Sequence, residues 1–199
     1  WSNEMAYVLG FIYADGTIAR KLDTVSISQK EVEILDKIKI LMQADQVIAH
    51  RKNQDLYTLS IGAKEMVKDL IKLGLTPNKS LTIKFPDMPE QYVSHFMRGY
   101  FDGDGSVGLD GRVSFVSGSK DFLESIREKL AIFALTERPI IHMHKTANAY
   151  AVYYHKKVEC NKICKFFYDE YTLDKQLYLS RKYLRFANIF YTKGISQKV

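Results

Sequence analysis

The sequence has little cysteine, and this argues against two kinds of structural cross-link. Its 199 residues include two cysteines, Cys160 and Cys164. Their four-residue separation is helical spacing, which does not suit a disulfide between them. A structural zinc site needs two further ligands at matching spacing, and none lies nearby. We therefore expect two reduced thiols in or near a core, where free cysteine is commonly buried.

Long apolar runs and a secretory signal are also missing. No run reaches the roughly 18–20 apolar residues that span a bilayer. The N-terminus lacks the basic region, apolar stretch and small-residue cleavage site of a signal peptide. We therefore expect no membrane partner and an intracellular protein, in the cytoplasm or nucleoid of a bacterium or in an organelle matrix.

Proline is scarce and concentrated in one place. Three of the four prolines, Pro77, Pro86 and Pro89, lie in the stretch TPNKSLTIKFPDMPEQ. Because proline removes a backbone donor and restricts the residue before it, this stretch is expected to be an extended connector. We place the connector at about residues 76–94, between an N-terminal half at 1–88 and a C-terminal half at 89–199.

The residues that are abundant predict a globular, basic protein. Hydrophobic residues make up 46% of the chain, enough for one large domain or two small ones. The net charge of +6 suits a polyanionic partner without proving one. Basic residues and histidines also fall in or beside segments that read as strands, which indicates a charged sheet face: Arg20, Lys21, His50, Arg51, Lys52, His142, His144, Lys145, His155, Lys156 and Lys157.

A duplicated motif divides the chain. VLGFIYADG at residues 8–16 and MRGYFDGDG at residues 97–105 share three residues at a separation of 89. Each motif is followed by the same pattern of a strand with alternating apolar residues, an amphipathic helix, a hairpin and a second helix. The pattern predicts an α+β fold of two pseudosymmetric αββαββα halves with antiparallel sheets. The last helix of the second half is expected over residues 158–171, and the basic tail should add one more.

Small residues within both motifs predict a close helix pair. Gly10 and Ala14, like Gly99 and Gly103, are four residues apart and so lie on one helical face. Small residues on such a face allow two backbones to approach closely.

Each motif helix ends on an acid, and two explanations are open. Asp15 and Asp104 could form surface turns with the glycines that follow them. However, an aspartate in the last helical turn opposes the helix dipole, at roughly 0.3–1 kcal/mol. The repetition of this cost beside a small-residue face favours a functional pair.

The paired acids predict a divalent metal site. If the helices pair along their small faces, Asp15 and Asp104 meet at one end, where they repel each other unless a cation lies between them. Oxygen ligands suit Mg²⁺ best, or Mn²⁺. Asp102 is a rival for the second acid, but its counterpart is Tyr13, which cannot replace a carboxylate.

A calcium loop starting at Asp102 is excluded as well. An EF-hand would need glycine where Val107 stands and glutamate where Val113 stands.

The two motifs resemble those of the LAGLIDADG homing endonucleases in their single-chain, double-motif form, and the likeness extends over the elements that follow. The resemblance implies a monomeric saddle whose concave sheets lie along the DNA major groove. It implies cleavage of both strands across the minor groove, with a divalent metal held by Asp15 and Asp104. Backbone carbonyl oxygens of Ala14 and Gly103 would complete the coordination, and no small-molecule cofactor is implied.

The resemblance also implies further catalytic residues. Lys79 in TPNKSL matches the lysine of the first half, and Lys182 in LSRKYL that of the second. Gln29 resembles the polar residue that organises water. Its counterpart falls near Gly118 or Ser119, a departure that argues against symmetric cutting.

Readout of DNA is expected mainly from the strands, because donors and acceptors there can address base edges in the major groove. The alternative for each residue is an ordinary exposed strand position. His142 and His144 without a third ligand do not indicate a metal site. The expected DNA-binding residues are Arg20, Lys21, Ser26, Ser28, His50, Lys52, His142, His144, Tyr153 and His155.

The function expected from the sequence is therefore a site-specific DNA endonuclease for intron or intein homing. A LAGLIDADG-type RNA maturase or a non-cleaving DNA-binding protein remains an alternative. A general phosphodiesterase or a purely structural protein would leave the duplicated faces and the basic strands unexplained.

Overall fold

The protein folds into two halves with the same order of elements. The computed structural model describes residues 1–132, 137–143 and 149–190. The first half contains α1 (Asn3–Asp15), β1 (Gly16–Ile18), β2 (Thr24–Gln29), α2 (Val32–Leu41), β3 (Ala49–Arg51), β4 (Leu56–Gly62) and α3 (Lys64–Lys72). The second contains α4 (Val93–Asp104), β5 (Gly105–Val107), β6 (Val113–Ser117), α5 (Lys120–Ala131), β7 (Ile141–His142), β8 (Tyr150–Tyr154) and α6 (Lys157–Phe167), followed by α7 (Glu170–Lys175) and α8 (Ser180–Phe190). The predicted α+β fold of two αββαββα halves is confirmed.

The duplication extends to the sheets. Each half has a four-stranded antiparallel sheet, in the order β1-β2-β4-β3 and β5-β6-β8-β7. In the first sheet Gly16 pairs with Ile27, and in the second Gly105 pairs with Phe115. The glycine that follows each motif aspartate therefore begins the same hairpin in both halves.

One face of each sheet is packed against helices and the other is open. Along β2 the buried side chains of Val25 and Ile27 alternate with the partly exposed Ser26 and Ser28. This two-residue period is what a half-buried strand requires. We call the side of Val25 and Ile27 the inner face and the side of Ser26 and Ser28 the outer face, and use the same terms for the second sheet.

The two motif helices pack against each other through their glycines. A Cβ atom added to Gly10 would overlap the carbonyl oxygen of Phe96 on α4. A Cβ atom added to Gly99 would overlap the carbonyl oxygen of Tyr7 on α1. The absence of side chains at these two positions therefore sets the distance between the helices, and the reciprocal contact matches the pseudosymmetry.

Replacement of Gly99 by alanine should destabilise the fold strongly. The new methyl group would meet backbone, which cannot move without separating α1 from α4, so we expect a loss of at least about 2 kcal/mol in the free energy of unfolding. Gly62→Ala is a matched control because nothing lies within 4 Å of a Cβ there. Urea denaturation of both variants measures the difference. Equal midpoints would contradict the close helix contact.

The helix expected over residues 158–171 is in fact two helices. α6 ends at Phe167, and the Asp169 side chain accepts a hydrogen bond from the Thr172 amide and so caps a new helix, α7. The buried Arg98 guanidinium on α4 bridges the break by donating to the Phe167 carbonyl and the Thr172 hydroxyl. The basic tail, which was expected to add one helix, contributes α8.

Two expectations about absences can be compared with the structure. Cys160 and Cys164 are buried and form no disulfide, as predicted. Across the described ranges, no helix is long and apolar enough to cross a membrane.

Candidate active site

The structure brings the two motif acids to one end of the helix pair. Asp15 is the last residue of α1 and Asp104 the last residue of α4. The Asp15 carboxylate reaches across to the other helix, where its Oδ2 would lie 3.1 Å from a Cβ atom at Gly103. The close approach at Gly10 and Gly99 is what allows this juxtaposition.

The two acids resist ionisation in this environment. Burial, and next the charge of Asp104, raise the pKa of Asp15 to about 6, against the opposing effect of Lys182 and Lys79. Burial also raises the pKa of Asp104, and Lys79, Lys182 and the Tyr100 hydroxyl oppose the rise. A further cation between the carboxylates would relieve this cost.

Lys79 caps the first motif helix. Its side chain is 7% exposed, and its Nζ donates to the carbonyl oxygens of Tyr13 at 2.7 Å and Ala14 at 3.1 Å. The last carbonyls of a helix have no partner within the helix. A lysine here satisfies them and offsets the negative end of the dipole.

Lys182 does the same for the second motif helix, more extensively. It lies on α8, is 4% exposed, and its ammonium shares three N–H groups among four carbonyl oxygens. These are the carbonyls of Phe101 (2.5 Å), Asp102 (2.6 Å), Gly105 (2.6 Å) and Gly103 (3.4 Å). Burial lowers the pKa of Lys182 to about 8, although Asp102 opposes this shift.

The carbonyls of Ala14 and Gly103, expected as metal ligands, thus already accept hydrogen bonds from lysines. A carbonyl oxygen has two lone pairs, so each keeps one for another partner.

Gln29 lies at the end of β2, on the inner face, and contacts the first acid. Its Nε2 donates to Asp15 Oδ2 at 3.0 Å, and its Oε1 accepts from the Lys30 amide at 2.8 Å. The second bond fixes the orientation of the amide group, so that the NH₂ faces the carboxylate.

The second-half counterpart of Gln29 is Ser117, and the expected position near Gly118 or Ser119 was wrong. The strand registers equate Ile27 with Phe115, a separation of 88 residues where the motifs are separated by 89. The turn between β5 and β6 is therefore one residue shorter than that between β1 and β2. Ser117 is buried at the end of β6, and its Oγ accepts from the Ser119 amide.

Asp102 has a structural environment. It is fully buried and accepts hydrogen bonds from the Tyr7 hydroxyl at 2.7 Å and the Leu179 amide at 2.9 Å. Burial raises the pKa of Asp102 to about 6, with Lys182 opposing. These contacts join α1, α4 and the segment before α8, away from the position that Asp104 occupies.

The available ligands fit a divalent cation whose remaining coordination positions are open to water and substrate. Within residues 1–132, 137–143 and 149–190, no three His, Cys, Asp or Glu side chains cluster as a metal site would need. Asp15 and Asp104 alone supply charged ligands, so water and substrate phosphate oxygens would have to complete a shell. Mg²⁺ is typically bound in this way, through one or two carboxylates plus substrate phosphates.

The raised pKa of Asp15 predicts a pH-dependent stability effect in metal-free buffer. The folded state keeps this proton up to about pH 6 and the unfolded state releases it near pH 4, so the stability it contributes at low pH is lost as pH rises through 6. We expect Asp15→Asn to be more stable than the wild type at pH 7.5, by roughly 1–3 kcal/mol, and little different near pH 4. Urea midpoints at both pH values measure this, with Asp45→Asn as an exposed control. Destabilisation at pH 7.5 would contradict the buried acid pair.

The outer faces of both sheets carry paired hydroxyl groups. Ser26 Oγ lies 2.9 Å from Ser60 Oγ, and Ser28 Oγ lies 2.9 Å from the Thr58 hydroxyl. In the second sheet, Ser106 Oγ lies 2.7 Å from Ser114 Oγ. Tyr153, another expected DNA-binding residue, pairs with Ser114 across the strands and so shares this face.

Four other expected DNA-binding residues lie at strand ends. Arg20 and Lys21 are exposed in the turn between β1 and β2, and Lys52 begins the 3₁₀ turn between β3 and β4. His155 follows β8 and stacks against Tyr153 with ring centroids 6.0 Å apart. His144 lies outside the described residues.

His50 and His142 lie on the inner-face side of their sheets. The registers pair His50 with Tyr57, which pairs with Gln29, and pair His142 with Tyr150, which pairs with Ser117. Both histidine rings pack on the tyrosine opposite, at 4.2 and 4.9 Å between centroids. They are exposed because they lie at the sheet edge, but they face away from Ser26 and Ser28.

Several polar residues on the outer faces were not among the expected DNA-binding residues. Once the hairpin register is known, strand alternation identifies them. Each lies directly across the strands from an outward-facing residue, or two residues along the strand from one. They are Arg51, Thr58, Ser60, Ser106 and Ser114.

Comparisons with known sequences are consistent with this architecture. Residues 91–185 match the LAGLIDADG-like domain. A probable translation initiation factor IF-2 from Methanocaldococcus jannaschii is 28% identical over 141 residues, which are 66% of this chain and 12% of that protein. The DNA-directed RNA polymerase subunit Rpo1C from the same organism is 29% identical over 139 residues, 65% of this chain and 16% of the subunit. The chain thus spans less than a fifth of the length of these relatives.

Solved structures share the fold over most of the chain. The homing endonuclease I-DmoI in complex with DNA and Mn has a TM-score of 0.60 at 14% identity, covering 84% of this chain and 98% of that one. The N-terminal LAGLIDADG domain of DUF199/WhiA has a TM-score of 0.60 at 17% identity, covering 87% and 88%. Residues 91–185 thus match the LAGLIDADG-like domain, and the chain has the two-motif LAGLIDADG fold, with a motif helix that ends on an acid in each half.

Proposed function

We propose that this protein is a site-specific DNA endonuclease that makes a double-strand break by metal-dependent phosphodiester hydrolysis. The observation that carries the proposal is the juxtaposition of Asp15 and Asp104, each at the end of a helix whose last carbonyls are capped by a buried lysine. Both half-sites belong to one chain, so a monomer would suffice, with halves at about 1–88 and 89–199.

The residues of the site divide the work of hydrolysis, in which water adds to phosphorus, a P–O bond breaks and a proton is released. Asp15 and Asp104 would hold Mg²⁺ or Mn²⁺, which when bound lowers the pKa of water and stabilises charge on the phosphate. Lys79 and Lys182 place positive charge beside the acids, where negative charge develops. Gln29 holds the Asp15 carboxylate in one orientation.

Binding of double-stranded DNA would use the outer faces of the two sheets. The hydroxyl pairs there offer donors and acceptors for base edges, while the exposed Arg20, Lys21 and Arg51 lie beside them for phosphates. The net charge of +6 favours this partner. Phosphate contacts would position the protein on the duplex, and the hydroxyl pairs would supply the base contacts on which specificity for one sequence depends.

The curated relatives favour a mobile element, and an intein over an intron. A translation factor and an RNA polymerase subunit have different functions, yet a segment of about 140 residues in each resembles this chain. A segment common to two such hosts is readily explained as an insertion. Because the similar segment lies within the host protein sequence itself, we favour an element inserted in frame. Such an enzyme would act inside the cell, where its DNA target lies.

A non-cleaving DNA-binding protein is the second candidate. The Ala14 and Gly103 carbonyls accept hydrogen bonds from lysines, which is the arrangement of helices stabilised without metal. The fold also occurs in WhiA, whose N-terminal domain matches most of this chain.

Plasmid cleavage distinguishes the two candidates. One plasmid carries the host gene with the coding sequences on either side of the element joined, and a second carries the gene with the element in place. We expect Mg²⁺-dependent linearisation of the first alone, and none in EDTA. Binding without nicking of the joined sequence would favour the second candidate, and accelerated splicing of a structured intron RNA would favour a maturase.

A further inference from the structure

The two half-sites do not hold their acids in the same way. In the first half the polar group comes from the strand, because the Gln29 amide at the end of β2 donates to Asp15. The equivalent strand position in the second half is Ser117, whose side chain is two carbons shorter and whose Oγ already accepts from the Ser119 amide. The second acid therefore needs another partner.

That partner lies on the motif helix itself. Tyr100 is four residues before Asp104, so the two side chains share one face of α4. The Tyr100 ring is fully buried against Phe122, and its hydroxyl donates to the Val116 carbonyl at 2.6 Å, next to Ser117. The hydroxyl thus lies between the end of β6 and the second acid, where Gln29 lies in the first half.

The electrostatics agree with this geometry. Burial raises the pKa of Tyr100 well above its usual value, and Asp104 raises it further through charge and a hydrogen bond, whereas a hydrogen bond with the Ser117 side chain lowers it. The same hydroxyl opposes the rise in the pKa of Asp104. A tyrosine hydroxyl has one proton, so Val116 and Asp104 compete for it.

The first half has no equivalent hydroxyl, because Phe11 occupies the position of Tyr100, 89 residues earlier. The phenylalanine ring is fully buried there. The polar group beside the acid therefore comes from the strand in the first half and from the motif helix in the second.

We propose that Tyr100 is the positioning residue of the second half-site, orienting Asp104 as Gln29 orients Asp15, so that the two DNA strands depend on different residues. The inference rests on the proposed endonuclease function. The Tyr100 hydroxyl is shared between Asp104 and the Val116 carbonyl, whereas the Gln29 carboxamide is held toward Asp15 by the Lys30 amide. The two acids are therefore oriented with different strength, and the two strands are cut at unequal rates.

Strand-resolved cleavage tests the inference. The target duplex carries a different fluorophore on each strand, and the cutting rate of each strand is followed on denaturing gels. We expect Tyr100→Phe to slow one strand by about tenfold, since hydrogen bonds to charged groups contribute about 1.5–3 kcal/mol, and to leave the other within about twofold. Gln29→Ala should slow the opposite strand.

Tyr168→Phe is the matched control. It removes a hydroxyl from another buried tyrosine of the second half, and among the described residues the Tyr168 hydroxyl has no hydrogen-bond partner. Both strands should be cut at nearly the wild-type rate. Urea midpoints of all variants, measured without metal, show that the proteins are folded under the assay conditions.

Each outcome decides one claim. If both variants slow the same strand, slow the two strands equally or have no effect, the role of Tyr100 is overturned. If Tyr100→Phe does not fold, Gln29→Ala still decides, because equal slowing of both strands would refute unequal half-sites. If the wild type cuts neither strand, the proposed function itself fails.

Discussion

Asp15→Asn is expected to abolish DNA cleavage while leaving DNA binding within about twofold. The substitution keeps the size of the side chain and the acceptor for Gln29, but it removes one of the two charged ligands at the helix ends. Loss of several kcal/mol of metal-assisted stabilisation corresponds to about a thousandfold in rate. Binding should persist because the outer sheet faces are unchanged.

The measurement is a single-turnover cleavage rate together with a binding titration in Ca²⁺. Asp45→Asn is the matched control, because Asp45 is exposed and lies in the loop between α2 and β3. Asp104→Asn should behave like Asp15→Asn, since the pair acts as one site. Cleavage by either variant at the wild-type rate would contradict the assignment of these acids as metal ligands.

Lys182→Met is expected to lower the free energy of unfolding by about 3–5 kcal/mol, as breaking one partner of a buried charged network does. The lysine ammonium shares its three N–H groups among four carbonyl oxygens at and just after the end of α4, and it interacts with the charge of the buried Asp102. Methionine fills the space of the methylene chain but leaves those acceptors without a donor. Cleavage should be lost together with stability.

Two comparisons make this prediction specific. Lys79→Met should cost less, because Lys79 donates to two carbonyls, and the exposed Lys64→Met should lie within about 0.5 kcal/mol of the wild type. Urea denaturation ranks the three variants. If Lys182→Met is no less stable than Lys64→Met, the lysine does not act as the cap of the second motif helix.

The fold could be predicted to a large extent because its signals are local. The repeated motif, the alternation of Val25 and Ile27 with serines, and the amphipathic helices after each hairpin depend on near neighbours in the sequence. The break after Phe167 could not be predicted in this way. It depends on Arg98, which reaches the break from α4, nearly 70 residues earlier.

The candidate site was predictable where it follows the motif and less so where it depends on packing. The positions of Asp15 and Asp104 follow from the spacing of the repeated motif, and Gln29 was expected from the family resemblance; Gln29 bonds Asp15, whose charge interacts with that of Asp104. The capping by Lys79 and Lys182 could not be read from the sequence, because it requires knowing which carbonyls lie opposite. Ser117 was missed because one turn is a residue shorter.

The sides on which His50 and His142 lie also required the structure. A strand residue changes face with a single step in register, and the register is set by the hairpin loops. Composition gives the number of basic residues beside the strands but not their direction.

Mapping the cut positions on both strands of the target duplex tests the central claim most directly. If Asp15 and Asp104 form one paired site at the end of α1 and α4, the protein should make one cut in each strand, a few base pairs apart across a single minor groove, and only with a divalent metal. Cuts at many positions, cuts about a full helical turn of 10 base pairs apart, or no cuts at all would contradict the account.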